Sequence, residues 1–114
     1  MDADAFRQLA LSRPEAEEGG HQGHADFRIG GKIFATLGPD ETWAMVKLPP
    51  DRQALVVEGQ PDVFEPSPGA WGRQGCTRVE LEAADPTLVE DLLDAAWDRT
   101  ATPTLRRKHG RDQG

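Results

Sequence analysis

Residues 24–35 read HADFRIGGKIFA, and this stretch decides the fold of the chain. Phe27 and Ile29 alternate with polar residues, and a period of two is typical of a strand with one buried face. The pair Gly30-Gly31 is a two-residue turn signal of the kind that closes an antiparallel hairpin. The return strand follows over residues 32–37. We expect three apolar side chains on its buried face, namely Ile33, Ala35 and Leu37.

More strands follow this hairpin along the chain. Residues 42–48 predict a third strand, and residues 76–82 alternate clearly again after a segment rich in proline and glycine. Between them, residues 51–58 predict a short helix that Gly59 ends. A lone meander is marginally stable in water, so one face of the sheet must be covered.

Helices at the two ends of the chain are predicted to supply that cover. Asp2 caps an N-terminal helix that ends before Pro14, and residues 15–23 read as a polar loop. The pair Asp85-Pro86 opens the longest amphipathic helix of the chain. We therefore predict an α+β fold, an antiparallel sheet of about five strands with N- and C-terminal helices packed on one face.

Length and composition limit the class of protein. The chain has 114 residues, which predicts a single domain over residues 1–105 and a basic, flexible tail over residues 106–114. The one cysteine, Cys76, has no partner for an internal disulfide, which suits a reducing compartment. The sequence starts with no secretion signal and has no apolar stretch of membrane-spanning length. We expect a cytoplasmic protein with no membrane partner.

Catalytic and metal-binding patterns are weak. His21 and His24 lie near two glutamates, but a zinc site needs three or four ligands and the third histidine, His109, is far along the chain. Cys76 stands near Arg73 and Arg78, which could lower the pKa of its thiol, but a small side chain at the end of a strand is the better explanation. We predict no catalytic residue, no metal and no cofactor, and hence not an enzyme.

Cations and tryptophans on the predicted strands and turns suggest a binding surface. Trp43 and Trp71 are either core residues or part of a nucleic-acid-binding surface. On such a surface, aromatic rings stack on bases and cations bind phosphates. The five cations in question are Arg28, Lys32, Lys47, Arg73 and Arg78. The formal net charge of −7 opposes this hypothesis, because phosphate binding depends on lysine and arginine.

Three stretches together resemble the MmcQ/YjbR family: residues 24–35, residues 61–66 (PDVFEP) and residues 69–73 (GAWGR), the last followed by Gly75 and Thr77. The resemblance extends over about residues 2–105. It implies a fold like that of frataxin and CyaY, described as a double wing of paired hairpins, and members are commonly labelled predicted DNA-binding proteins. The positions that match are His24, Phe27, Arg28, Lys32, Phe34, Trp71, Gly72 and Arg73.

Two hypotheses about function follow. The first is a DNA-binding module, for which the candidate contact residues are His24, Arg28, Lys32, Lys47, Trp71, Arg73 and Arg78. The second is a frataxin-like metal-handling or protein-interaction domain that uses an acidic N-terminal surface. The acidic residues of that surface are Asp2, Asp4, Glu15, Glu17 and Glu18.

Overall fold

A computed structural model describes residues 1–111 of the chain. The helices are α1 (Ala3–Leu11), α2 (Pro50–Gly59), α3 (Ala70–Arg73), α4 (Pro86–Thr100) and α5 (Pro103–Lys108), with one 3-10 turn at Leu81–Ala83. The strands are β1 (Glu17–His21), β2 (His24–Ile29), β3 (Lys32–Leu37), β4 (Trp43–Lys47), β5 (Phe64–Pro66) and β6 (Cys76–Glu80). Among residues 1–111, no helix is both long enough and apolar enough to cross a membrane.

The strands form one antiparallel sheet in the order β1-β2-β3-β4-β6-β5. This confirms the predicted α+β class, with six strands where about five were expected. The additional strand is β1, which lies in the segment that we predicted as a polar loop. Gln22 and Gly23 have positive φ angles of 51° and 84° and turn the chain tightly back onto β2. Because β1 is an exposed edge strand, it lacks the apolar alternation that reveals a strand in a sequence.

A β-bulge changes which side of β3 faces the core. Phe27 pairs with Ala35, whereas Arg28 pairs with Ile33, so Phe34 is the additional residue on β3. Phe34, Ala35 and Leu37 are all fully buried, while Ile33 is only partly buried. The expectation that Ile33 shares a buried face with Ala35 and Leu37 was therefore wrong, because strict alternation does not continue through a bulge.

One face of the sheet packs on α1 and α4 to form the core. Phe6 of α1 meets Phe27 edge to face with ring centroids 6.0 Å apart. Trp97 of α4 is fully buried, and its indole Nε1 donates a hydrogen bond to the carbonyl oxygen of Pro14 at 2.8 Å. The helices therefore cover one face, as predicted. On the opposite face, the side chains of β4 that alternate with buried Ala44 and Val46 are partly exposed.

The short helix α3 is fixed at the edge of this open face. The side-chain amide of Gln53 donates hydrogen bonds to the carbonyl oxygens of Gly72 and Cys76 at 3.0 and 3.1 Å. A Cβ atom on Gly72 would lie 1.9 Å from the carbonyl oxygen of Ser67, so only glycine fits there. The position of α3 determines where Trp71 stands.

The predicted flexible tail begins within α5. Arg106 donates a hydrogen bond to the carbonyl oxygen of Ala101 at 2.7 Å, and Arg111 pairs with Asp94 at 2.7 Å. Residues 112–114 lie outside the described residues. Flexibility of the tail stays a prediction.

Candidate functional site

The open face of the sheet carries a groove of about 800 Å³. Strands β2, β3 and β4 form its floor, and the segment around α3 bounds one side. Its lining residues are His21, His24, Arg28, Gly31, Lys32, Ile33, Thr36, Trp43, Met45, Lys47, Ser67, Pro68, Trp71 and Cys76. We call this the open-face groove.

The floor and one wall of the groove are largely apolar. Ile33 reaches the floor because of the bulge in β3, and Met45 pairs with Thr36 in the neighbouring strand. Trp71 is 66% exposed, which is unusual for so large an apolar side chain. The structure thus answers the question left open by the sequence: Trp71 is a surface residue, and Trp43 is partly exposed on the open face.

Five of the seven predicted contact residues line the open-face groove: His24, Arg28, Lys32, Lys47 and Trp71. Arg78 also lies on the open face, where its guanidinium carbon stands 4.4 Å from the centre of the Trp43 ring. Arg73 is exposed on α3 but does not line the groove.

The predicted cations differ in their ion pairing. Arg78 pairs with Glu80 at 3.0 Å and with Glu65 at 3.8 Å, so two carboxylates offset its charge. Within residues 1–111, no ion pair involves Lys32, Lys47 or Arg73. These three cations have charge available for an anionic ligand.

Arg28 belongs to a cluster around the buried carboxylate of Asp26. Its Nε and Nη2 atoms donate to the two oxygens of Asp26 at 2.8 and 3.0 Å, and His21 Nδ1 lies 2.7 Å from Oδ2. The hydrogen bonds from Arg28 are the largest cause that lowers the pKa of Asp26; those from His21 add to them, and burial opposes both. The cluster lies across β1 at Gly19, where a Cβ atom would approach Asp26 Oδ1 to 2.9 Å.

His21 and Asp26 are functional candidates that sequence reasoning missed. The sequence indicates His21 only as a weak candidate for a metal ligand, and it places Asp26 only among the polar residues that alternate with Phe27 and Ile29. Strand alternation placed Asp26 on the open face, but nothing in the sequence showed that the β1–β2 hairpin would bury it. The same hairpin brings the rings of His21 and His24 into contact, with centroids 4.5 Å apart and ring planes tilted by 59°.

The other candidate chemistries have little structural support. Cys76 is 4% exposed, and burial raises the pKa of its thiol, with Lys47 and Arg99 opposing that effect. The suggestion that arginines make it reactive is therefore not favoured. Over residues 1–111, no group of three or more histidine, cysteine, aspartate or glutamate side chains is placed to hold a metal ion.

The acidic residues near the N-terminus are largely engaged with the protein's own groups. Asp2 caps α1 by accepting a hydrogen bond from the backbone N–H of Ala5 at 2.8 Å. Arg7 pairs with Asp4 at 2.8 Å and with Glu18 at 3.1 Å. Glu15 pairs with Lys108 and His109 of the tail at 2.9 and 2.7 Å.

These features define a small α+β protein with an antiparallel sheet that is open on one face. The family model YjbR matches residues 11–99, and the chain belongs to the YjbR family. A solved structure, that of Deinococcus radiodurans protein DR2400 with its DUF419 domain, is similar with a TM-score of 0.79 and 17% identity. The similarity covers 99% of this chain and 91% of that one, and it supports the fold. No curated protein matches the chain.

Proposed function

We propose that this chain is a cytoplasmic nucleic-acid-binding protein, not an enzyme, and that it holds a single strand of DNA or RNA in the open-face groove. The observation that carries the proposal is the joint placement of exposed Trp71 and of two cations, Lys32 and Lys47, without carboxylate partners among residues 1–111. Compared with the first hypothesis from the sequence, a DNA-binding module, this proposal restricts the ligand to unpaired strands and also includes RNA.

The composition of the groove favours a single strand over a duplex. Bases stack on aromatic side chains only when they are unstacked from one another, and each such contact contributes about 1–3 kcal/mol. In a duplex the bases face inward, so Trp71 would meet only the backbone or a groove edge. The apolar floor formed by Ile33 and Met45 also suits the face of a base better than a row of phosphates.

The dimensions of the sheet agree with a nucleotide lying across it. Arg28 on β2 and Lys47 on β4 are separated by β3, and neighbouring strands lie about 4.8 Å apart, so the two sides of the groove are roughly 10 Å apart. This is comparable to the span from the phosphate to the base within one nucleotide. Members of the family are commonly labelled predicted DNA-binding proteins because of their wing hairpins. Cations on the strands and the ring of Trp71 on α3 are the side chains that such a role would need.

The first prediction tests the groove with fluorescence anisotropy of labelled oligonucleotides at low salt. Trp71→Ala is expected to weaken binding of a single strand by about tenfold, because one stacking contact of about 1–3 kcal/mol is lost. Lys32→Ala with Lys47→Ala is expected to weaken binding of all sequences. It should also reduce the slope of log K against log salt by about 0.7 for each phosphate contact removed.

Two matched variants control for general effects. Leu55 is also 66% exposed, but on α2, so Leu55→Ala removes a similar exposed apolar side chain without touching the groove. Lys108→Ala removes a cation that pairs with Glu15 at 2.9 Å away from the groove. The proposal fails if no single strand binds the wild-type protein at low salt, or if the control variants weaken binding as much as the groove variants.

A further inference from the structure

A buried carboxylate joins two groove residues that sequence reasoning treated separately. Asp26 has no exposed surface, although its residue type is almost never fully buried unless it is paired. Its two oxygens accept hydrogen bonds from His21 and Arg28, which both line the open-face groove. We call these three residues the Asp26 cluster.

Each of the two outer members of the cluster keeps one nitrogen atom that does not contact Asp26. An ionised carboxylate only accepts hydrogen bonds, so His21 donates through Nδ1 and its Nε2 points away from Asp26. Arg28 uses Nε and Nη2 on Asp26, and within residues 1–111 its Nη1 makes no hydrogen bond. The side chains of His21 and Arg28 are 40% and 39% exposed, and both line the open-face groove.

We infer that the Asp26 cluster is a subsite for one phosphate group, bound by Arg28 and by the protonated imidazole of His21, with Asp26 as the positioning residue for both. This inference rests on the proposed function and deepens it, because it assigns the phosphate of the bound nucleotide to β2 and the base to the Trp71 side of the groove. Once His21 is protonated, its Nε2 also donates, and the cluster changes from net neutral to net positive.

The fold is adapted to keep this cluster in place. The ion pair of Asp26 and Arg28 lies against the backbone of β1 at Gly19. A Cβ atom on Gly19 would stand 3.2 Å from Arg28 Nε, so the absence of a side chain at this position leaves room for the pair. The pKa of the Arg28 guanidinium is raised by its hydrogen bonds to Asp26.

His24 contacts the His21 ring, and the buried Nδ1 atom of His24 has no hydrogen-bond partner within residues 1–111. Buried polar atoms of this kind usually have a partner, such as a ligand or a water molecule.

Phosphate binding at this subsite is expected to depend on pH. Histidine is the side chain whose charge ordinarily changes between about pH 5 and pH 8. The groups that face His21 come from three parts of the fold. They are Asp26, Arg28 and His24 on β2, Glu18 on β1, and Arg7 and Glu41, which line a neighbouring crevice together with His21. Arg7 pairs with both Glu18 and Glu41, so these three side chains together keep a net charge of −1.

The second prediction concerns the affinity of the full chain for a single-stranded oligonucleotide at constant ionic strength. Wild-type protein is expected to bind about fivefold more tightly at about pH 5.5 than at about pH 7.5, because ligand binding is linked to protonation of an imidazole. His21→Gln keeps an N–H for Asp26 but stays uncharged, and it is expected to reduce this ratio to less than about twofold. The same measurement on His109→Gln is the control. That variant also removes one imidazole, but the imidazole of His109 bonds to Glu15, away from the groove.

Two further arms identify the source of the phosphate. Imidazole nitrogen chemical shifts of His21 are followed by NMR during titration with inorganic phosphate, in wild type and in Arg28→Gln. The oligonucleotide experiment is repeated with uncharged methylphosphonate linkages, which are expected to abolish the pH dependence. A saturable shift of His21 that Arg28→Gln removes supports the subsite.

The outcomes separate this inference from the proposed function. If wild type binds single strands equally well at both pH values, or if His21→Gln and His109→Gln behave alike, the subsite is overturned while the proposed function stands. If no oligonucleotide binds at either pH, the proposed function fails. In that case the titration with inorganic phosphate decides whether the subsite exists. A change in the chemical shifts of His21 would show that the subsite binds free phosphate, and no change would overturn the subsite as well.

Discussion

At the scale of single residues, Asp26 stabilises the native state in a way that depends on pH. Its hydrogen bonds from Arg28, and then from His21, lower the pKa of the carboxyl group despite burial. A lowered pKa in the folded state means that the stabilisation is complete above the unfolded carboxyl pKa of about 3.9. It is lost as the pH falls through the lowered value of the folded state.

The third prediction follows from that linkage. Asp26→Asn is expected to reduce the free energy of unfolding by about 2 kcal/mol near pH 7, because His21 and Arg28 lose the charged acceptor of their hydrogen bonds. The difference from wild type is expected to be smaller at about pH 3 than near pH 7, because below the unfolded carboxyl pKa of about 3.9 the unfolded state of the wild type takes up a proton before the folded state does. Urea unfolding at both pH values measures this. Asp62→Asn, at an exposed position, is the control. A difference that is the same at both pH values would contradict the linkage.

The residue types of the site were predictable, but their pairing was not. Alternation about Phe27 and Ile29 placed Arg28 on the face opposite the core, and the structure agrees. Arg28 pairs with the buried carboxylate of Asp26, whereas Lys32 makes no ion pair within residues 1–111. Nothing in the sequence predicts this difference between the two cations. Side-chain partners depend on strand register, and the register of β1 against β2 was not foreseen.

At the scale of elements, the strands with alternating apolar residues were predicted, and the departures from ideal alternation were not. β2, β3, β4 and β6 all fall within the segments predicted as strands. β1 was missed because an edge strand with two glycines has no buried face to reveal it. The bulge at Phe34 was missed because a single additional residue leaves no compositional signal, although it moves Ile33 into the groove.

The fourth prediction concerns helix α3, whose position depends on one glycine. Gly72→Ala would place a Cβ atom 1.9 Å from the backbone oxygen of Ser67, which cannot move as a side chain can. We expect a loss of about 2–3 kcal/mol in the free energy of unfolding, because overpacking forces a backbone shift. The shift is also expected to displace Trp71, which precedes Gly72, and so to weaken binding of a single strand.

A second glycine provides the control for this prediction. A Cβ atom on Gly59, at the end of α2, would meet nothing within 4 Å. Gly59→Ala is therefore expected to change the midpoint of urea unfolding little. Equal destabilisation by the two alanine substitutions would show that close packing at Ser67 is not what requires glycine at position 72.

At the scale of the whole molecule, the distribution of charge matters more than its sum. The chain has 20 acidic and 13 Lys and Arg residues, yet Lys32 and Lys47 lie on the open face without ion pairs within residues 1–111. Several carboxylates of α4 lie instead on the helical side, where Glu90 and Asp94 pair with Arg13. At about 0.1 M salt the Debye length is about 10 Å, so charges across the molecule act only weakly on a ligand in the groove.

The fifth prediction separates local charge from net charge. Glu65→Gln with Glu80→Gln releases Arg78 from both of its carboxylate partners on the open face. Glu90→Gln with Asp91→Asn changes the net charge by the same amount on α4. At about 0.1 M salt we expect the open-face variant to bind a single strand about threefold to tenfold more tightly than wild type, and the α4 variant to change by less than about twofold. Equal gains in the two variants would mean that net charge sets the affinity. In that case the local arrangement of cations on the open face would not explain how an acidic protein binds a polyanion.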